Sequence, residues 1–368
     1  MTDHAALLQQ RLDRLDRAIA LEKTDRAPVI LMTDSFSAAC TKTPLSKMCG
    51  PLNDSYEVIK DSLAFFPEAD GVEYPIAPAT LFPLVYMSKM RYPGRELPEN
   101  TSWQVAEAEV MTVEDYDTIL KGGWGPFMVD YMKTRLDIDI FPLLAQTEQG
   151  PSWVQGIEAQ GKYVFSPFTV VGVPELLAGG RSFPRFMMDL KRIPDKVEAV
   201  LDVITEETIP IIQHMVRASK AKVVFFGPGR GASDFFSPKL WERFIWKYTK
   251  KIADALLEAG TAVDFHIDSN WERDLSYFRD FPAKRCIFET DGYTDLYKVK
   301  EVLGDMMARK GDVNPTMLAL GTPDQVYNYC TNLIKDMGPG FILSSGCSIP
   351  FNAKFENVKA MVAAAAGN

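Results

Sequence analysis

Residues 262–313 read AVDFHIDSNWERDLSYFRDFPAKRCIFETDGYTDLYKVKEVLGDMMARKGDV. Three short runs stand out as strands: AVDFHID (262–268), RCIFETD (285–291) and MMARKGDV (306–313). Segments of helical spacing separate them, one around Trp271–Phe281 and one over Asp295–Leu303. The alternation continues on both sides. Upstream, KVVFFG (222–227) runs into the turn-rich GPGRGAS, and a helix follows from about Pro238 to a stop at Gly260. Downstream, a helix opens at Thr322-Pro323, where Thr caps and Pro suits the first turn. GFILSSG (340–346) is a fifth strand, and a last helix starts near Lys354. Strand, loop and helix in repetition predict parallel strands with helical crossovers. Runs this apolar are expected when both faces of a sheet are covered.

The first half is less regular. APVILM (27–32), DGVEYP (70–75) and KYVFSPF (162–168) are the candidates for strands one to three. Residues 76–150, rich in Pro and aromatics, read as an insertion or lid. A closed (β/α)8 barrel needs ~250 residues of core and accommodates such insertions, so a single barrel domain over 1–368 with an N-terminal helix is expected. An open doubly wound sheet is the competing arrangement, but no GxGxxG follows the first strand.

Composition narrows the function classes. The chain has 368 residues, 46% hydrophobic and 24% charged, which is globular and excludes disordered and collagen-like readings. No apolar run approaches the ~20 residues of a membrane span, and the charged N-terminus has no signal-peptide core. A net charge of -9 without a basic cluster argues against nucleic acid. Five cysteines with no CxxC point to reduced thiols and a cytoplasmic protein.

In parallel α/β folds, sites form at the carboxyl ends of strands. Those ends carry His266 and Asp268, Glu289 and Asp291, Asp312, and Cys347. Positions i and i+2 of a strand share a face, so His266 and Asp268 are expected to look into one space. With Cys347 they offer nitrogen, oxygen and sulfur donors suited to zinc, with a position left for substrate. A hydrogen-bonded His–Asp pair, a buried structural Cys and helix-capping Asp residues account for the same letters. Of the other two histidines, His4 and His214 are assigned to structure or surface. Asp234 is placed at the rim, where capping the next helix is the competing role. Trp271, Phe235 and Phe236 are candidates for apolar walls around a substrate, and Glu289 for substrate contact.

The closing segment, KGDVNPTMLALGTPDQVYNYCTNLIKDMGPGFILSSGCSIPFNAKFENVKAMV, resembles that of the uroporphyrinogen decarboxylase superfamily. The matching motifs are Gly311–Pro315, Gly321–Val326, Phe341–Pro350 and Glu356–Met361. SPFTVVG (166–172), FPRFMMDL (183–190), SPKLWERF (237–244) and DRAPV (25–29) extend the likeness over nearly the whole chain, diffusely before residue 160. The resemblance implies a (β/α)8 barrel, and by analogy a homodimer.

The superfamily divides by chemistry. Its decarboxylases carry an R-Q-A-G-R segment that grips tetrapyrrole carboxylates; the counterpart here, LMTDSFSAACTK (31–42), has no arginine. They also have a histidine where this chain has Cys347. A carboxylated substrate would leave its charges unpaired. The other branch moves methyl groups to or from a cobalamin carried by a small corrinoid protein, with zinc held by H-x-C and a distal Cys. Here His266 and Cys347 match and Asp268 replaces the nearer Cys. A carboxylate makes the metal a harder Lewis acid, better suited to an ether or hydroxyl oxygen. The competing account has no zinc, with His266 and Asp268 moving protons directly. The expected activity is methyl transfer from a small methoxylated or methylated substrate to the Co(I) of a partner corrinoid protein. Asp291 or Asp312 would handle the proton. The cobalamin belongs to the partner, since no D-x-H-x-x-G segment is present. A lyase acting on a smaller carboxylate, methyl transfer to folate or thiol, and a non-catalytic binding barrel are the alternatives.

Overall fold

A computed structural model describes residues 3–367. The strands in chain order are β1 (Ile30–Leu31), β2 (Gly71–Val72), β3 (Lys89–Arg91), β4 (Gln104–Ala106), β5 (Tyr163–Val164), β6 (Thr169–Val171), β7 (Val223–Gly227), β8 (Ala262–Ile267), β9 (Cys286–Thr290), β10 (Ala308–Val313) and β11 (Phe341–Ser345). β1, β2 and β5 form one parallel set, and β6 to β11 follow in sequential order in another. A parallel bridge from Val29 to Leu343 joins β11 back to β1. β5 and β6 are two halves of one chain passage, so the ring closes as the expected (β/α)8 barrel.

That third passage departs from the single run expected over 162–168. Pro167 has no N–H to give a ladder, and the strand breaks around it. Ser166 repairs the gap: its hydroxyl accepts from Phe225 N at 2.9 Å and donates to Phe168 O at 2.5 Å. The helix expected from Pro238 runs to Glu258 as one segment, with a π turn at Glu242–Trp246. There Trp241 and Trp246 stack at 5.6 Å. Thr322 and Gln325 form a full capping box ahead of Pro323–Met337, as the Thr-Pro start foretold.

Alternation along the strands builds the barrel interior in layers. At the amino end, Ile30, Tyr163, Val223, Ala262, Ile287, Ala308 and Ile342 make an apolar floor. The N-terminal helix His4–Ile19 closes it from below with Leu15 and Ala18. Asp70 fastens this end, bonded by Arg14 (2.5 Å), Arg26 (2.7 Å) and the Val29 N–H (2.8 Å). Gly71 is required here, because a Cβ would lie 2.6 Å from the ring of Tyr163.

Residues 76–150 form short helices and the antiparallel β3–β4 ribbon. They pack onto the barrel's own helices. A Cβ on Gly179 would meet Tyr86 O, Ser88 Oγ donates to Gly179 O at 3.0 Å, and Glu207 accepts from Trp124 N and Gly125 N at 2.9 Å each. No helix among the described residues is long and apolar enough to cross a membrane.

Candidate functional site

Above the apolar floor the interior turns polar. Glu73, Asp264, Glu289 and Lys310 are all fully buried. Strand register brings them together: Lys310 lies beside Glu289 across β9–β10, and Glu289 beside His266 across β8–β9. The Lys310 ammonium reaches Glu73 at 2.5 Å, Glu289 at 2.8 Å and Asp264 at 3.1 Å, and lies 4.5 Å over the Phe165 ring. One cation cannot balance three anions in a dry interior. Burial drives Asp264 well above the ordinary carboxylate range and Glu73 up to about 7, against the pull of Lys310. Glu289 goes the other way. Burial alone would raise it, but Lys310 and His266 together hold it at about 2.

His266 stands on this charged layer. Its Nδ1 donates to Glu289 Oε2 at 2.8 Å, and its ring stacks on Phe225 at 4.8 Å. That leaves Nε2 facing Asp268, 3.4 Å from Oδ1. Burial would lower the imidazole pKa, yet Glu289 and then Asp268 outweigh it and raise it well above the usual value. Asp268 is half-exposed; desolvation lifts its carboxyl, the imidazole outweighs this, and the net shift is downward. One donor atom each of His266, Asp268 and Cys347 lie within 4.8 Å of one another.

Cys347 arrives on a loop that bridges the barrel mouth. Gly346 N donates to Val313 O and Ile349 N to Met32 O, both at 2.9 Å, and the Ser348 hydroxyl bonds Asp34. Gly346 presses on the backbone of Asp291, where a Cβ would sit 2.9 Å away. The loop thus ties the ends of β1, β9 and β10 together beneath the sulfur.

The remaining expected residues are spread more widely. Asp291 has a raised pKa, chiefly through burial, and accepts from Ser269 N and Tyr293 N at 2.9 Å each, so it shapes the loops around Asp268. Asp312 accepts from Tyr329 at 2.6 Å, has a pKa raised chiefly by burial, and is not part of the His266–Asp268–Cys347 group. Trp271 is wholly buried against Trp241 and donates to Asp268 O at 3.1 Å, which makes it a support of Asp268 and not a substrate wall. Asp234 lies exposed in the turn Ser233–Phe235, and the helix at Pro238 has Ser237 as its N-cap, so Asp234 does not cap it. Phe235 is 43% exposed and meets Phe183 edge-on; Phe236 is buried in the core. Glu289 contacts Lys310 and His266, a foundation of the site and not its wall. His4 bonds Ala159 O and His214 is exposed on its helix, both away from the site.

Sequence reading missed Glu73, Asp264, Lys310, Asp34, Tyr74 and Ser348. Two of them had a positional signal: Asp264 shares a strand face with His266, and Lys310 is next to Glu289 in the ladder. An aromatic wall was also missed, with Tyr74 and Phe225 edge to face at 5.6 Å beside Met32. Burial, and after it the charges of Glu175 and Asp268, push the hydroxyl of Tyr86 from the 76–150 segment up to about 12.

Comparison with known proteins agrees with this architecture. The family profile described as Uroporphyrinogen decarboxylase (URO-D) matches residues 163–367. The chain is 22% identical to the uroporphyrinogen decarboxylase of Coxiella burnetii, over 97% of this chain and 95% of that one. It is 27% identical to that of Chlamydia caviae over 54% of this chain and 59% of the relative. The structure of a methyltransferase from Methanosarcina mazei superposes with a TM-score of 0.71 at 20% identity, covering 96% of this chain and 97% of that one. With the profile spanning more than half of the sequence and the barrel complete around it, the chain belongs to the uroporphyrinogen decarboxylase (URO-D) family.

Proposed function

We infer that the protein is a methyltransferase: it takes a methyl group from a small methoxylated or otherwise methylated substrate and passes it to the Co(I) of a partner corrinoid protein. The observation that carries this reading is the convergence of His266 Nε2, an Asp268 oxygen and Cys347 Sγ at the carboxyl end of the barrel. A divalent metal fits them. Tetrahedral zinc with bonds of ~2.0–2.3 Å separates its ligands by roughly 3.3–3.8 Å, and His266 and Asp268 already stand 3.4 Å apart. Glu289 takes the Nδ1 proton, the arrangement that fixes a metal-binding imidazole. These three residues would hold zinc, which would supply Lewis acidity toward a substrate oxygen.

The chain's own residues do the rest. Glu289 orients the His266 ring, and Trp271 and Asp291 fix the loop that carries Asp268. Tyr74 and Phe225 give the small apolar contact that holds a methylated molecule and keeps water away. The cobalamin would enter with its carrier protein from the mouth.

Metal analysis tests the site: zinc near one equivalent in the wild type and little in His266→Ala and Cys347→Ala. Mixing with reduced corrinoid protein and a panel of methyl donors tests the activity, through loss of the Co(I) absorbance. Protein that stays zinc-free after metal-replete purification refutes the Lewis-acid account. A decarboxylase reading is favoured by the names of the curated relatives. Against it, residues 31–42 contain no arginine and place a buried acid, Asp34, at the mouth. Carbon dioxide released without any corrinoid protein would establish it instead.

A further inference from the structure

Asp34 stands at the end of β1, where the chain turns into the helix Asp34–Thr41. It is 3% exposed and holds a positive φ of 27°, a backbone state rare for a residue other than glycine. One carboxylate oxygen, Oδ2, receives the Ser348 hydroxyl from the loop that carries Cys347. The other, Oδ1, has no hydrogen-bond partner among the described residues. Its neighbour Thr33 and Ser344 on the adjoining β11 also keep buried hydroxyls without partners. Burial raises the Asp34 carboxyl to about 6, opposed by the Ser348 hydrogen bond and by His266. A desolvated carboxylate with a free oxygen is costly until something donates to it.

We propose that Asp34 Oδ1 is the specificity-determining acceptor of this site, taking a hydrogen bond from a hydroxyl on the substrate. The methylated group would lie toward His266, Asp268 and Cys347, and the hydroxyl toward β1. The site therefore selects hydroxylated methyl donors over fully methylated ones and rejects carboxylates, whose charge would face Asp34. Only the orientation of the methyl group rests on the methyltransferase reading.

Calorimetric titration of the purified protein with paired probes tests this without any methyl transfer. The pairs are 2-methoxyphenol against 1,2-dimethoxybenzene and 2-methoxyethanol against 1,2-dimethoxyethane, differing in one O–H. The hydroxylated member of at least one pair should bind ~10-fold tighter or more, the usual scale for a hydrogen bond to a charged group. Asp34→Ala, or the near-isosteric Asp34→Asn if the alanine variant does not fold, should bring that ratio close to one. Equal binding within both pairs, no binding of any probe, or a ratio that survives in a folded variant overturns the proposal. A preference that vanishes in the variants while no methyl ever reaches a corrinoid protein leaves Asp34 in place and refutes the methyl-transfer reading. Transfer without any preference does the reverse.

Discussion

Replacing Lys310 by methionine removes the ammonium shared by three buried carboxyls while keeping the side chain's length. Breaking a buried ion pair typically costs ~3–5 kcal/mol, because the partner is left charged and dry. The wild-type assignment makes the loss depend on pH. Lys310 and His266 hold Glu289 at about 2, well below its value in the unfolded chain. That stabilisation is complete above ~4.3 and is lost only as pH falls toward 2. Without Lys310, Glu73 and Asp264 lose the charge that opposed their burial and their carboxyls rise further, while His266 still pairs with Glu289. The folded variant then holds extra protons, and its stability falls as pH rises from ~4.5 through neutrality. The deficit should therefore be largest near pH 8 and small near pH 5. An unfolding entropy of ~2.1 cal/mol/K per residue gives about 0.8 kcal/mol/K for 368 residues. A loss of ~4 kcal/mol then lowers the midpoint by about 5 °C. Scanning calorimetry at pH 5 and pH 8 reads both quantities. A deficit under ~1 kcal/mol at pH 8, or equal deficits at the two pH values, refutes this account of Lys310 and the carboxyls around it.

Further substitutions probe other parts of the framework. Glu73→Gln should stabilise the protein by ~1–3 kcal/mol above pH 7 and give no gain near pH 4, because burial raises Glu73 to about 7 and the native state loses stability as pH climbs toward that value. Urea unfolding at the two pH values decides it. Ser166→Ala leaves Phe225 N without its acceptor across the strand break, and should cost ~1–3 kcal/mol by the same measurement. Gly346→Ala drives a methyl against the Asp291 backbone; a stability loss of ~1–3 kcal/mol and a drop in bound zinc are expected, the second read by elemental analysis.

Much of this fold was written in local chemistry. Most strands after residue 220 are short apolar runs, and several of the helices that follow open at a capping side chain or a Pro, as at Pro238, Asp295, Asn314 and Thr322. The early strands were harder to place, because β1, β2 and β5 are only two residues long and one passage is broken at Pro167. The site was legible in part for a related reason. His266, Asp268 and Cys347 sit at strand ends, where position alone advertises chemistry. Glu73, Asp264 and Lys310 sit inside strands, and the expectation that doubly covered strands are apolar concealed them. Only the closed ring shows that they face one another. Asp312 also ends a strand, but its partner is Tyr329, outside the three-donor group.

The span from Gly346 to Pro350 has a consequence for how the protein comes into being. Its anchors, Met32 and Asp34, are synthesised long before the sulfur they help to place. During synthesis the imidazole and carboxylate are already waiting, but the third donor and the staple across the opening do not yet exist. Completion of the three-donor group therefore waits until Cys347 has joined a barrel whose other strands are already made.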